Sequence, residues 1–151
     1  MKNPILLMVL FVLVSTPLFS QSDDEKDIMQ VIEAETRAFC SESLKEVTQK
    51  YWILDQHSVR CVSFLDGLTY QHRFEDLISS NLVPPGNHAD FIQSNKHIHV
   101  NGKMASATYD QMATIIDGKD IEFQHTHVIT VLEKVNGAWK IHMMAAHHYT
   151  P

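Results

Sequence analysis

DGKDIEFQHTHVITVLEKVNGAWKIHMMAAHHY, Asp117 to Tyr149, decides the fold. Its two turn dipeptides, Asp117-Gly118 and Asn136-Gly137, belong to the type that closes two-residue hairpins, and each is flanked by strand-like runs. The turns set a register that can be counted along three strands. Taking each dipeptide as the loop pairs Val135 with Ala138 and Ile116 with Lys119, so Leu132 meets Ile141, Thr130 meets Met143, Val128 meets Ala145 and Thr126 meets His147. From the other turn, Thr126 meets Tyr109 and Gln124 meets Gln111.

Because side chains alternate, one face carries Ala105, Ala107, Tyr109, Val128, Leu132, Trp139, Ile141, Met143 and Ala145. It is the more apolar face and is assigned to the core. A polar row crosses it, Tyr109, Thr126 and His147, with Gln111, Gln124 and Thr130 nearby. Polar groups on a core face must be hydrogen-bonded or line a cavity, and a cavity is the more economical reading. The opposite face carries Asp110, His125 and His148, with His127 two residues from His125. His-x-His on a strand beside a carboxylate is a possible metal-ligating pattern; its plainer reading is a solvent-facing or interface patch in which Asp110 hydrogen-bonds His125. Met112, Ile129, Val131 and Met144 interleave with these groups and suggest a face covered by a second copy of the chain. Both rows require strands without a bulge, since one extra residue exchanges the faces.

Outward from this sheet, the upstream chain reads as helices. Ser22 to Glu25 is a capping box followed by Ile28, Val31, Ile32, Ala38 and Phe39 at helical spacing, which predicts a helix over 23–40. Ser43 with Glu46 repeats the signal ahead of a helix that ends near Trp52. A short hairpin over 59–72 turns at Asp66-Gly67, and a third helix over 74–81 is stopped by Pro84-Pro85-Gly86. Strands over 91–100 and 103–116, joined at Asn101-Gly102, complete the sheet. Helices first and an antiparallel meander after make an α+β plan with helices on one face.

Residues 1–20 read as an export signal, with Lys2 ahead of an apolar run too short to span a bilayer comfortably. Residues 21–151, about 130, then suffice for one domain. The expected location is periplasmic or secreted. The chain has 18 acidic against 12 basic residues, a net charge of −6, which argues against nucleic acid or an anionic membrane surface as partner. Cys40 and Cys61 could pair in an oxidising compartment; two buried thiols are the favoured reading.

The order of elements, the hairpin Val131 to Ile141, the segment Tyr51-Trp52-Ile53-Leu54-Asp55 and the strand Ala105 to Gln111 resemble the nuclear transport factor 2-like superfamily, in particular its SnoaL-like branch. The resemblance spans nearly all of residues 21–151. It implies a cone-shaped fold, a curved sheet wrapped around helices to enclose a pocket, commonly dimeric through the outer sheet face. Ketosteroid isomerases, scytalone dehydratase and polyketide cyclases, which do cofactor-free acid/base chemistry, share this superfamily with non-catalytic binding modules. No counterpart of the isomerases' catalytic Asp with its Tyr and protonated acid is found, so no catalytic residue is carried over.

The first expectation is therefore an exported small-molecule-binding domain, homodimeric and cofactor-free, with Tyr51, Trp52, Tyr70, Gln111, Gln124, Thr126 and Thr130 around the ligand. The alternative is a cofactor-free isomerase, dehydratase or cyclase with His147 as base, Tyr109 as oxyanion donor and Asp55 as a second acid/base group. A metal site on the outer face, from Asp110, His125, His127 and His148, ranks last.

Overall fold

The computed structural model describes residues 23–79, 87–117 and 119–151, without side chains for 87–89 and 117. The export signal, the Ser22 cap, Pro84-Pro85-Gly86 and Gly118 lie outside the described residues. Helix α1 (Asp23–Phe39) carries acids in its first turn and buries Ile28, Met29, Ile32, Glu35, Thr36 and Ala38 on one stripe. Helix α2 (Leu44–Tyr51) starts on the expected capping box: Glu46 N–H donates to Ser43 Oγ at 3.3 Å, and Ser43 N–H donates to the Glu46 carboxylate at 3.0 Å. Strands β1 (Val59–Ser63) and β2 (Thr69–Arg73) form the short hairpin, closed at Gly67 with φ +84°. Helix α3 (Phe74–Ser79) follows, then the long strands β3 (Asn87–Asn101), β4 (Met104–Asp117), β5 (Asp120–Val135) and β6 (Ala138–Tyr149).

Among the described residues the sheet has six strands in the order β2-β1-β6-β5-β4-β3. It is a curved α+β sheet packed with helices, as expected, but not a pure meander: β1 pairs with β6 in parallel, from Val59 opposite Met143 to Ser63 opposite His147. The early hairpin thus extends the sheet beyond β6. Asn136 and Gly137, at φ +51° and +85°, turn β5 into β6 with Val135 opposite Ala138, the counted register.

Two counts need correction. The β4–β5 hairpin closes on Asp117 opposite Asp120, so Tyr109 faces Val128, Gln111 faces Thr126 and Ala113 faces Gln124. This slip by two residues moves the pairing along without exchanging faces. The second correction does exchange them. Leu132 faces Ile141 but Val131 faces Met143, so His142 is an extra residue on β6, a β-bulge. On the other edge of β6, the bulge falls where the partner changes. Ile53 N–H donates to the Ile141 carbonyl at 2.8 Å before it, and β1 takes over at Met143 after it. Beyond the bulge Met144, Ala146 and His148 turn inward, while Met143, Ala145 and His147 turn outward.

The core follows the corrected register. Ile28, Ile32, Leu132 and Ile141 are fully buried, and Trp52, Ala105, Ala107, Tyr109, Val128, Trp139 and Met144 complete the cluster. Each of the large aliphatics contributes about 2 kcal/mol by leaving water. At the start of α1, the Asp24 carboxylate accepts from Trp139 Nε1 at 3.0 Å and Lys134 Nζ at 2.5 Å, holding the helix against the β5–β6 hairpin. Further along, α1 is tied to the sheet by side chains: Gln93 Nε2 donates to Thr36 Oγ1 at 3.4 Å, and the Arg37 guanidinium lies 4.9 Å from the Phe91 ring centre.

Candidate functional site

Between the C-terminal half of α1 and the inner faces of β1, β3, β4, β5 and β6 lies a cavity of about 270 Å³. Its lining is mostly apolar: Phe39, Val62, Phe91, Ile115, Val128 and Met144 form the walls, and Phe64 stands at the mouth. The polar lining falls into two groups. At the inner end, α1 supplies Glu35, one turn on from Ile32 along its buried stripe, and β1 supplies Arg60, which alternates inward with Val62. The Arg60 Nη2 donates to the Glu35 carboxylate, and the same carboxylate oxygen accepts from Trp52 Nε1 at 3.4 Å. The guanidinium lies 4.5 Å from the Phe39 ring centre and 5.2 Å from that of Trp52, so both charged partners sit in an aromatic enclosure. Among the described residues the buried Arg60 Nε has no hydrogen-bond partner.

Tyr109 lines the cavity beside this pair. Burial and the Glu35 carboxylate push its phenol well up, against weaker opposing effects of Thr130, Arg60 and Thr36, so the hydroxyl keeps its proton at neutral pH. Burial, then Glu35, also pushes the Cys40 thiol up. Cys40 lines the cavity and Cys61 lies on β1; both are unpaired and half-buried.

The second polar group is the ladder Gln111, Gln124, Thr126 and His148 on three neighbouring strands. Gln111 accepts a hydrogen bond from Gln93 Nε2 at 3.1 Å, while Thr126 sits opposite both Gln111 and His148. The His148 ring stacks on Phe64 at 4.9 Å between centres and 9° between planes. Burial, reinforced by the charge of His147 and opposed by Glu122, pushes the His148 pKa down. The ring is thereby held towards its neutral form.

The structure sorts the sequence-selected residues as follows. It gathers Tyr109, Gln111, Gln124 and Thr126 on the cavity wall, with Thr130 fully buried and outside the lining. Trp52 is also buried, its indole spent on Glu35, and Tyr51 packs at the edge of the core rather than on the cavity. Tyr70 is 51 % exposed and touches the site only through an edge contact with Phe64. Asp55 caps the turn after α2, accepting from His57 N–H at 2.8 Å and Ser58 N–H at 3.1 Å. Its pKa is lowered chiefly by the His57 amide, and the residue lies outside the cavity lining.

His147 and His148 exchange roles because of the bulge: His147 is exposed on the outer face opposite His127, and His148 reaches the cavity. On the outer face the two-residue slip puts His127, not the expected His125, opposite Asp110: His127 Nδ1 lies 2.7 Å from Asp110 Oδ1, and Asn95 Nδ2 donates to Asp110 Oδ2 at 2.7 Å. These two contacts hold the Asp110 carboxyl below its usual range. With His148 turned away and His125 beside Tyr149, the four-residue metal set is not assembled. Among the described residues no three His, Cys, Asp or Glu side chains converge on a metal position.

Glu35 and Arg60 are the site residues missed from sequence. Their signal was present: a carboxylate on the apolar stripe of α1, and an arginine on the inward alternation of β1. Charged residues rarely occupy such positions unless paired.

No family model and no curated protein matches the chain. Solved structures do. A nuclear transport factor 2-like protein from Cytophaga hutchinsonii superposes with a TM-score of 0.64 at 11 % identity, covering 85 % of this chain and 100 % of its own. A ketosteroid isomerase-like protein from Erwinia carotovora atroseptica gives 0.62 at 12 %, covering 86 % and 99 %. The CaMKII hub from S. rosetta gives 0.61 at 11 %, covering 82 % and 95 %. These likenesses, spread over nearly the whole described chain, carry the order of elements and the curvature of the sheet. The chain thus has the nuclear transport factor 2-like fold, a curved α+β cone with a cavity between its first helix and its sheet.

Proposed function

We propose that the chain is an exported small-molecule-binding domain of the SnoaL-like type, working as a homodimer through its outer sheet face. The observation that carries the reading is the cavity itself, an apolar chamber at which an ion pair, a phenol, two amides, a threonine and an imidazole converge from five secondary-structure elements. That is the composition of a ligand site rather than of a packed core, whose polar groups would be spent on one another. The dimer rests on the outer face, where Ile92 is 58 % and Ile129 42 % exposed beside the Asp110–His127 pair.

A cofactor-free isomerase, dehydratase or cyclase is the second reading, favoured by one observation: a neutral imidazole and a protonated phenol share the cavity. His148 takes the role of base that the straight register gave to His147, and Tyr109 remains the hydroxyl that would donate to a developing oxyanion.

A native mass spectrum of the protein isolated from the cells that produce it tests the binding reading. The expected result is a dimer carrying an organic molecule, lost in Ala113→Trp, which fills the cavity from β4 while the dimer persists. Wild-type protein carrying nothing, or a variant that retains the molecule, would contradict the ligand site; a monomer would contradict the outer-face pairing.

A further inference from the structure

The charges of the cavity cancel inside it. Arg60 and Glu35 are paired with side-chain exposures of 9 % and 2 %, so neither charge is answered by solvent. The guanidinium charge is committed, with Nη2 on Glu35, one ring beside it on α1 and another at the end of α2, while its buried Nε, without a partner among the described residues, is left as a donor to an uncharged ligand. Glu35 accepts a second hydrogen bond from Trp52. An anionic ligand would have to draw Arg60 from Glu35 and leave a buried carboxylate uncompensated; a cationic ligand would do the converse to Arg60. His148 and Tyr109 add no charge at neutral pH.

The uncharged polar groups, in contrast, have capacity to spare. Among the described residues the Gln124 amide and the Thr126 hydroxyl make no side-chain hydrogen bond, and Gln111 spends only its oxygen, on Gln93, leaving its NH2 as a donor. Together they offer donors and an acceptor along one side of the chamber. The remaining lining includes the rings of Phe39 and Phe91, each with an arginine guanidinium over it, and the parallel rings of Phe64 and His148.

We infer that the cavity selects an uncharged, flat ligand of about bicyclic size, its amide- or hydroxyl-bearing edge against Gln111, Gln124 and Thr126, and that the internal Arg60–Glu35 pair excludes ionised analogues. This rests on the binding reading above and adds the chemical class to it. The pair acts as a charge filter: it supplies a polar inner end while leaving no net charge for a ligand to neutralise.

Three probes of one shape and different charge test this: 2-naphthamide, 2-naphthoate and 2-naphthylmethylammonium, titrated calorimetrically into the full protein at neutral pH. The amide is expected to bind at least tenfold more tightly than either ion, and Ala113→Trp to abolish that binding. An ion that binds as tightly as the amide would overturn the charge filter while leaving the ligand site standing. Absence of binding by all three, or amide binding that survives Ala113→Trp, would overturn the cavity as the site and the inference with it. Glu35→Gln, which leaves Arg60 uncompensated, is expected to raise naphthoate affinity relative to the amide at least tenfold; an unchanged ratio in the folded variant would overturn the filter. Should that variant not fold, the wild-type series still decides.

Discussion

His148 stacks on Phe64 in the cavity lining, where burial favours its neutral imidazole. Unfolded, the ring titrates near 6.5; folded, it titrates lower. Below 6.5 the unfolded chain therefore binds more protons than the folded one, so this contribution to stability is full above that value and is lost as pH falls through the folded pKa. His148→Phe keeps an aromatic partner for Phe64 and removes the titration. Urea midpoints measured at about pH 7.5 and about pH 5 are expected to fall less in the variant than in the wild type; an equal fall would show that His148 is not the buried imidazole. At this scale the sequence was informative where residue type and face agreed. Tyr109, Gln111, Gln124 and Thr126 were legible because the slip in the β4–β5 hairpin was by two and kept their face. Glu35 and Arg60 were not singled out, because apolar periodicity marks the stripe through its hydrophobic members and passes over a charged one whose partner lies on a distant element.

Element by element, turns and caps were legible because their chemistry is local. Asn136-Gly137 provides two residues at positive φ, and Ser43 with Glu46 satisfies the start of α2, so β5–β6 pairing and the helix boundary follow from a few neighbouring residues. The bulge on β6 has no such mark. Met143-Met144, Ala145-Ala146 and His147-His148 are identical doublets, so a slip of one residue puts the same residue types on the same faces, and periodicity cannot tell the registers apart. The bulge is set by tertiary pairing, where β6 changes partner from the end of α2 to β1. The doublets also make it testable. Met144 is 5 % exposed within the core whereas Met143 is only partly buried on the outer face. Met144→Ala is expected to cost about 2–4 kcal/mol and Met143→Ala less than about 1 kcal/mol, read from denaturant unfolding of each variant. The reverse order would restore the straight register.

Across the whole molecule, one feature of β6 divides two surfaces between two tasks. The inner surface closes a cavity whose charges cancel, and the outer surface carries Ile92, Ile129 and the Asp110–His127 pair that the proposed dimer would cover. The nuclear transport factor 2-like likeness explains the cone and says nothing of what fills it, because the same fold hosts unrelated chemistries. The parallel addition of the early hairpin to β6 was not legible in the sequence, since nothing local in Val59 to Arg73 specifies a partner some eighty residues away. That addition matters to the site, because it brings Arg60, Val62 and Phe64 to the cavity.

The exchange made by the His142 bulge turns His148 into the proposed ligand cavity and His147 away from it. It is tested most directly by nuclear magnetic resonance of the histidine ring signals, assigned with His147→Gln and His148→Gln, as 2-naphthamide is added to the full protein. The His148 ring signals are expected to move with saturation while those of His147 and His127 stay in place. Movement of His147 with His148 unchanged would contradict it.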